Sequence, residues 1–160
     1  MAKTQITVPA GMPQILISRE FKAPRDLLFR AHTDPELLVQ WLGPRNLTMT
    51  VDRMEVWDGG RWRYVHRDAA GNEYGFHGVF HGAPSPAGIV QTFEFEGAPG
   101  HVSLESLTFE ERGAVTVVHV NAVYLSVAAR DAMVQSGMEG GLNEGYERLD
   151  DALARLAPVG

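Results

Sequence analysis

Apolar and polar residues repeat with two different periods along this chain, and each change of period marks a new element. QILISREF (14–21) alternates with a period of two and predicts a first strand. Residues 23–33 and 34–44 carry apolar stripes at helical spacing, Pro35 suits a first helical turn, and a Gly-Pro pair stops the second stripe. The pattern therefore predicts two short consecutive helices after the first strand.

Between Leu47 and Tyr124 the period returns to two, in runs rich in valine, threonine and aromatic residues. Short turn sequences separate these runs: DGG (58–60), DAAGN (68–72), APSPAG (83–88), EGAPG (96–100) and ERGA (111–114). Short strands joined by tight turns are typical of an antiparallel meander. We count six strands here, which makes seven with the first.

The closing segment, 126–157, predicts one long amphipathic helix that Ser126 caps and Pro158 follows. Its apolar stripe recurs every three or four residues: Val134, Met138, Leu142, Gly145, Leu149, Leu153 and Leu156. At 1.5 Å per residue the helix would be roughly 45 Å long. It carries four glycines (Gly137, Gly140, Gly141, Gly145), each costing roughly 1 kcal/mol against alanine. Close packing on the sheet, room for a ligand and relief of a bend all remain open as explanations.

These elements predict an α+β fold of the helix-grip type. A curved antiparallel sheet of seven strands would wrap around the long C-terminal helix, and the two short helices would plug one end. A curved sheet and a single helix seldom fill the space between them, so a pocket is expected.

Composition narrows the class of protein. Of the 160 residues, 44% are hydrophobic and 21% charged, as in a soluble globular domain, and there is no apolar run long enough to span a membrane. We expect a flexible arm over 1–11, no secretory signal, and a single domain over 12–157. The absence of cysteine excludes disulfides and thiol nucleophiles and suits the cytoplasm.

The charge is acidic and uneven, with a net value of −6. Residues 1–68 hold 10 basic and 8 acidic groups, whereas residues 69–160 hold 4 and 12. No basic stripe is present, so nucleic acid is not expected as a partner.

Several segments resemble the START/SRPBCC superfamily, in the branch related to the activator of heat-shock chaperone ATPase (the AHSA-like proteins). They are REFKAPRDLLFRAHTDPELLVQWLGP (19–44), DGGRWRY (58–64), YGFHGVFHG (74–82), TFEFEG (92–97), LTFEERGAVTVVHV (107–120) and SGMEGGLNEGYERLDDAL (136–153). The resemblance covers nearly the whole chain. It implies a helix-grip fold with a hydrophobic cavity in a stand-alone protein of bacterial type. The APSPAG turn (83–88) departs from the family pattern, which puts its loop geometry in doubt.

Aromatic, methionine and glycine residues are the candidates for lining such a cavity. Strand alternation, the end of the second short helix and the position of the last helix select twelve: Trp41, Trp62, Tyr64, Phe76, Phe80, Phe93, Phe109, Tyr124, Met133, Gly137, Met138 and Gly141. Each has an ordinary alternative as a core or packing residue.

Three residues are candidates for acid–base chemistry: His77, His119 and Glu144. Each would have to lie in the pocket, and each has a solvent-facing alternative. His77 and His81 are too far apart along a strand to bind one ion, so no metal or cofactor is expected. We interpret Glu94, Glu96, Glu105, Glu110 and Glu111 as solvated charges of strands and turns.

Three functions follow from this pattern and from what the resemblance to the AHSA-like proteins implies. The first is binding of a small hydrophobic or aromatic ligand. The second is an enzyme of the polyketide cyclase, dehydratase or hydrolase type that uses the same cavity. The third is a heat-shock chaperone co-factor, which we rank last because the eukaryotic activators carry an additional N-terminal domain. A homodimer is left open, because an exposed strand at the edge of the sheet can pair with a second copy of the chain.

Overall fold

A computed structural model describes residues 2–156, and within that range the chain forms eight strands and four helices. The strands are β1 (Gln5–Thr7), β2 (Gln14–Phe21), β3 (Thr48–Met54), β4 (Arg61–Arg67), β5 (Glu73–Val79), β6 (Gly88–Phe95), β7 (Val102–Arg112) and β8 (Val115–Val123). The helices are α1 (Arg25–Thr33), α2 (Pro35–Leu38), α3 (Val127–Gln135) and α4 (Met138–Leu156). The six strands predicted between residues 47 and 124 are confirmed, with the five turn sequences at their connections.

All the strands belong to one antiparallel sheet in the order β1-β2-β8-β7-β6-β5-β4-β3. The predicted count of seven strands is wrong, because β1 adds an eighth within the segment predicted as a flexible arm. It pairs with β2, with Ile6 opposite Ile17. Three residues are too few to show a period, and backbone pairing with β2 is what makes them a strand.

The sheet is curved, and its inward-facing residues form the core together with α1, α2 and α4. Alternation places Ile15 and Ile17 of β2 and Trp62 and Tyr64 of β4 on the buried side. They meet the apolar side of α4, where Leu149 is fully buried. The helix-grip arrangement is therefore confirmed.

Two helix predictions need correction. The second short helix ends at Leu38 rather than at residue 44, because tighter turns follow it. In these turns the backbone N–H groups of Gln40 and Trp41 donate to the carbonyl groups of Leu37 and Leu38, three residues earlier. The long C-terminal helix is two helices. Gly137 has φ +87° and separates α3 from α4, as a left-handed glycine does at a helix end. The predicted end at 157 and the Pro158 stop lie outside the described residues.

Polar contacts fix α4 to the rest of the fold. Arg148 Nη1 donates to the carbonyl of Gly43 at 3.0 Å. Arg19 of β2 forms two bonds with the Asp150 carboxylate, at 2.9 and 2.7 Å. Its guanidinium also lies 4.7 Å from the centre of the Phe21 ring. These contacts hold the helix at a set distance from the sheet.

Candidate functional site

A cavity of about 220 Å³, partly open to solvent, lies between the concave face of the sheet and the helices. Residues of β2 to β4 and β6 to β8 form one wall, and residues of the four helices form the other. Eight of the twelve predicted lining residues are in these walls: Trp41, Trp62, Tyr64, Phe80, Phe93, Tyr124, Met133 and Met138. The structure therefore brings most of the predicted set together around one space.

The other four predicted lining residues lie elsewhere. Phe76 packs behind the wall, with its ring centre 5.3 Å from that of Tyr64. Phe109 packs against the ring of His32 at 5.3 Å. Gly137 is in the turn between α3 and α4, and a Cβ on Gly141 would lie 3.7 Å from Pro44 Cδ.

The helix glycines do not make room for a ligand. None of the four lines the cavity. A Cβ on Gly145 would lie 3.1 Å from the carbonyl oxygen of Trp41 and 3.3 Å from the nitrogen of Gly43, so this glycine allows close backbone contact. Gly140 faces open space. Two of these glycines are therefore explained by close packing at Gly145 and by the helix break at Gly137, and not by space for a ligand.

The three candidates for acid–base chemistry lie outside the cavity. Phe76 belongs to the aromatic cluster, so its neighbour His77 points to the outer face, where Nδ1 is 2.9 Å from Glu96 Oε2. His119 is also on the outer face, with Nε2 2.8 Å from Glu110 Oε1. The Glu144 carboxylate accepts a hydrogen bond from the Arg45 backbone N–H at 3.1 Å. A pocket role for these residues is therefore wrong.

The carboxylate that does line the cavity is Glu105, which we had interpreted as a solvated charge. On β7 it is in register with Gln91 of β6 and Ala122 of β8. Gln91 Nε2 donates to Glu105 Oε1 at 2.9 Å, the one hydrogen bond to this carboxylate among residues 2–156. Burial raises the pKa of Glu105, and the Gln91 bond opposes that effect. An acidic group in an apolar cavity is costly unless something pairs with it.

Three tyrosines share the cavity with Glu105: Tyr64, Tyr124 and Tyr146. Burial raises the pKa of each of them, and the negative charge of Glu105 raises it further. Within the described chain, Tyr74 is the one tyrosine whose hydroxyl makes a hydrogen bond. The three cavity hydroxyls are thus available to a bound molecule.

His32 is a further polar wall residue that sequence reasoning missed. Its Nδ1 donates to the Leu28 carbonyl at 2.7 Å, and its ring packs against Trp41 at 4.9 Å. Burial lowers the pKa of His32 to about 4, although the Leu28 bond acts in the opposite direction. The imidazole is therefore neutral near pH 7.

Residues 2–156 contain no group of three or more histidine, cysteine or acidic side chains placed to hold a metal ion. No helix in the same range combines the length and apolar character that crossing a bilayer requires.

Solved structures share this fold over nearly the whole chain. A protein from Rhodobacter sphaeroides is similar with a TM-score of 0.88 and 28% identity, covering 96% of this chain and 99% of that one. Protein Ms6760 from Mycobacterium smegmatis has a TM-score of 0.85 at 21% identity and covers 99% of both chains. The AHSA1 protein from Silicibacter pomeroyi has a TM-score of 0.74 at 21% identity, covering 90% of this chain and 99% of that one.

No curated protein matches the sequence. A family model does: that of the activator of Hsp90 ATPase homolog 1-like proteins, which matches residues 22–154. The match begins after β2, includes every later strand of the cavity wall, and ends within α4. Since it spans most of the chain, this protein belongs to the family of activator of Hsp90 ATPase homolog 1-like proteins.

Proposed function

We propose that this protein binds a small ligand with an apolar, ring-containing body in the cavity between the sheet and the helices. One observation carries the proposal: a cavity lined by aromatic rings also holds Glu105 Oε2 and three tyrosine hydroxyls, which make no hydrogen bond within residues 2–156. Buried polar groups in folded proteins are normally satisfied. An apolar cavity with a few convergent polar groups is the usual form of a small-molecule site.

The size of the cavity limits the ligand. About 220 Å³ is less than the roughly 300–1,000 Å³ of sites for drug-sized molecules. A body of one or two rings fits this space better than a long acyl chain or a multi-ring compound. The two wall methionines, Met133 and Met138, adapt to different shapes because their side chains are unbranched.

Two tryptophan substitutions on β7 test the proposal. Leu107 lies in the cavity wall, whereas Leu104 is on the outer face with 47% of its surface exposed. Leu107→Trp places an indole in the cavity, and Leu104→Trp adds the same group outside. We expect ring-containing ligands such as naphthylmethanol to raise the unfolding temperature of the wild type and of Leu104→Trp by several degrees.

Leu107→Trp should fold but show no such shift. Equal shifts in both variants would place the ligand outside the cavity and contradict the proposal, as would no shift in the wild type. A cooperative unfolding transition of each variant without ligand shows that the variant is folded, and it serves as the control.

An enzyme is the second candidate, and Glu105 favours it. Burial raises the pKa of Glu105 and so favours its protonated form, which can donate a proton to a bound molecule. Chemistry of the cyclase, dehydratase or hydrolase type needs such a proton donor. Prolonged incubation with each bound ligand, followed by mass analysis, separates the two functions, because a binding protein returns the ligand unchanged.

A further inference from the structure

From the charges around the cavity we infer that the preferred ligand carries a protonated amine on its apolar body, and that Glu105 holds this amine. The inference rests on the proposed function and names the chemical class of the ligand. It excludes fatty acids and other carboxylates as preferred ligands.

The first support is the balance of charge in the cavity. Among residues 2–156, Glu105 is the one acidic residue in the cavity wall, and no lysine or arginine lines it. Neutral His32 supplies no positive charge at pH 7. Arg19 is a nearby cation, but both its terminal nitrogens bind Asp150. An ionised Glu105 therefore has no basic side chain of the cavity wall to pair with.

The second support is the geometry at the carboxylate. Gln91 binds Oε1 and leaves Oε2 without a hydrogen-bond partner in the part of the chain that the structure describes. On the other side, the register neighbour Ala122 is a methyl group that also lines the cavity. A small side chain there leaves space beside the carboxylate. An ammonium group can donate to Oε2 without displacing Gln91, in a charge-assisted hydrogen bond.

The third support is the aromatic wall. Trp62 and Tyr64 stack with their ring centres 5.3 Å apart, and Trp41 and Tyr146 stack at 6.2 Å. All four residues line the cavity. Aromatic rings attract cations through their quadrupoles, and most strongly where water is excluded. The tyrosine hydroxyls add acceptors for the remaining N–H groups of the amine.

Three probes with the same ring system test the inference: naphthylmethylamine, naphthylmethanol and naphthoate. They are close in size and differ in the charge of one end. Calorimetric affinities for the wild type should follow the order amine, alcohol, acid, with the amine at least about tenfold tighter than the alcohol. This comparison needs no variant, so a folding defect cannot obscure it.

Glu105→Gln keeps the shape of the side chain and removes its charge. We expect it to lose about tenfold in affinity for the amine and to change by less than about threefold for the alcohol. Glu111→Gln is the matched control, since it makes the same change on the same strand at an exposed residue that does not line the cavity. It should bind all three probes as the wild type does.

The possible outcomes distinguish a failure of this inference from a failure of the proposed function. Binding of the alcohol with no preference for the amine, or an amine preference that survives Glu105→Gln, overturns the inference and leaves the proposed function standing. Failure of all three probes to bind the wild type overturns both.

Discussion

Gln91 Nε2 lies 2.9 Å from Glu105 Oε1, across the pair of strands β6 and β7 and inside the cavity wall. Both side chains are polar, and both point to the side of the sheet where Leu107 and Phe109 also point. The pair is therefore a polar feature among mostly apolar wall residues. Gln91 holds one carboxylate oxygen of Glu105 and leaves the other available. The proposed ligand carries a polar end because this second oxygen can accept a hydrogen bond from it.

The first prediction concerns the approach of α4 to the loop after α2. Gly145→Ala should lower the free energy of unfolding by about 1 kcal/mol or more, because its Cβ would be 3.1 Å from a backbone oxygen that cannot easily move. Gly140→Ala should raise it by roughly 0.5–1 kcal/mol, since the added methyl group meets open space and alanine favours a helix.

Urea unfolding of both variants measures these changes. Equal stabilisation by the two substitutions would show that α4 does not approach residues 41–43 as closely as described.

The second prediction concerns the break between α3 and α4. Gly137→Ala should destabilise the protein by roughly 1–2 kcal/mol, because φ +87° is a left-handed conformation that alanine adopts at a cost. Gly137→Asn should cost less, since asparagine tolerates this conformation better. Thermal unfolding compares the two variants. A stabilising Gly137→Ala would indicate a continuous helix instead.

The third prediction concerns acid stability. The pKa of His32 is about 4 in the folded protein and 6.5 in the unfolded chain. The unfolded state therefore binds more protons between these values, and stability is lost as the pH falls from about 6.5 toward about 4. The loss attributable to His32 is on the order of 3 kcal/mol.

His32→Gln should flatten the dependence of unfolding free energy on pH over this range. His101→Gln changes an exposed histidine ahead of β7 and should keep the wild-type dependence. Chemical unfolding at several pH values measures both. An unchanged slope in His32→Gln would rule out a buried, neutral His32.

The sequence indicates the fold more fully than the site. The meander is predicted because its turn sequences and alternating runs are local signals. Strand β1 has only three residues and depends on pairing with β2, so no periodicity reveals it. The helix break is hidden because the apolar spacing from Val134 to Met138 continues across Gly137. The Ser-Gly pair was nevertheless a usable sign of a helix end.

Glu105 was missed because β7 has leucine on both faces. Leu104 points outward and Leu107 inward, so alternation alone does not say which face is buried. A signal was present, since Glu105 shares its parity with Leu107 and Phe109. Charged residues are mostly exposed, and that general tendency gave the wrong interpretation here.

The most direct test of a usable cavity is an NMR titration of the wild type with naphthylmethanol, followed through the three indole N–H signals. Trp41 and Trp62 line the cavity, whereas Trp57 is 58% exposed and does not line it. We predict saturable shifts of the Trp41 and Trp62 signals and an unchanged Trp57 signal. Movement of Trp57 alone, or of none of the three up to the solubility limit of the probe, would contradict the account.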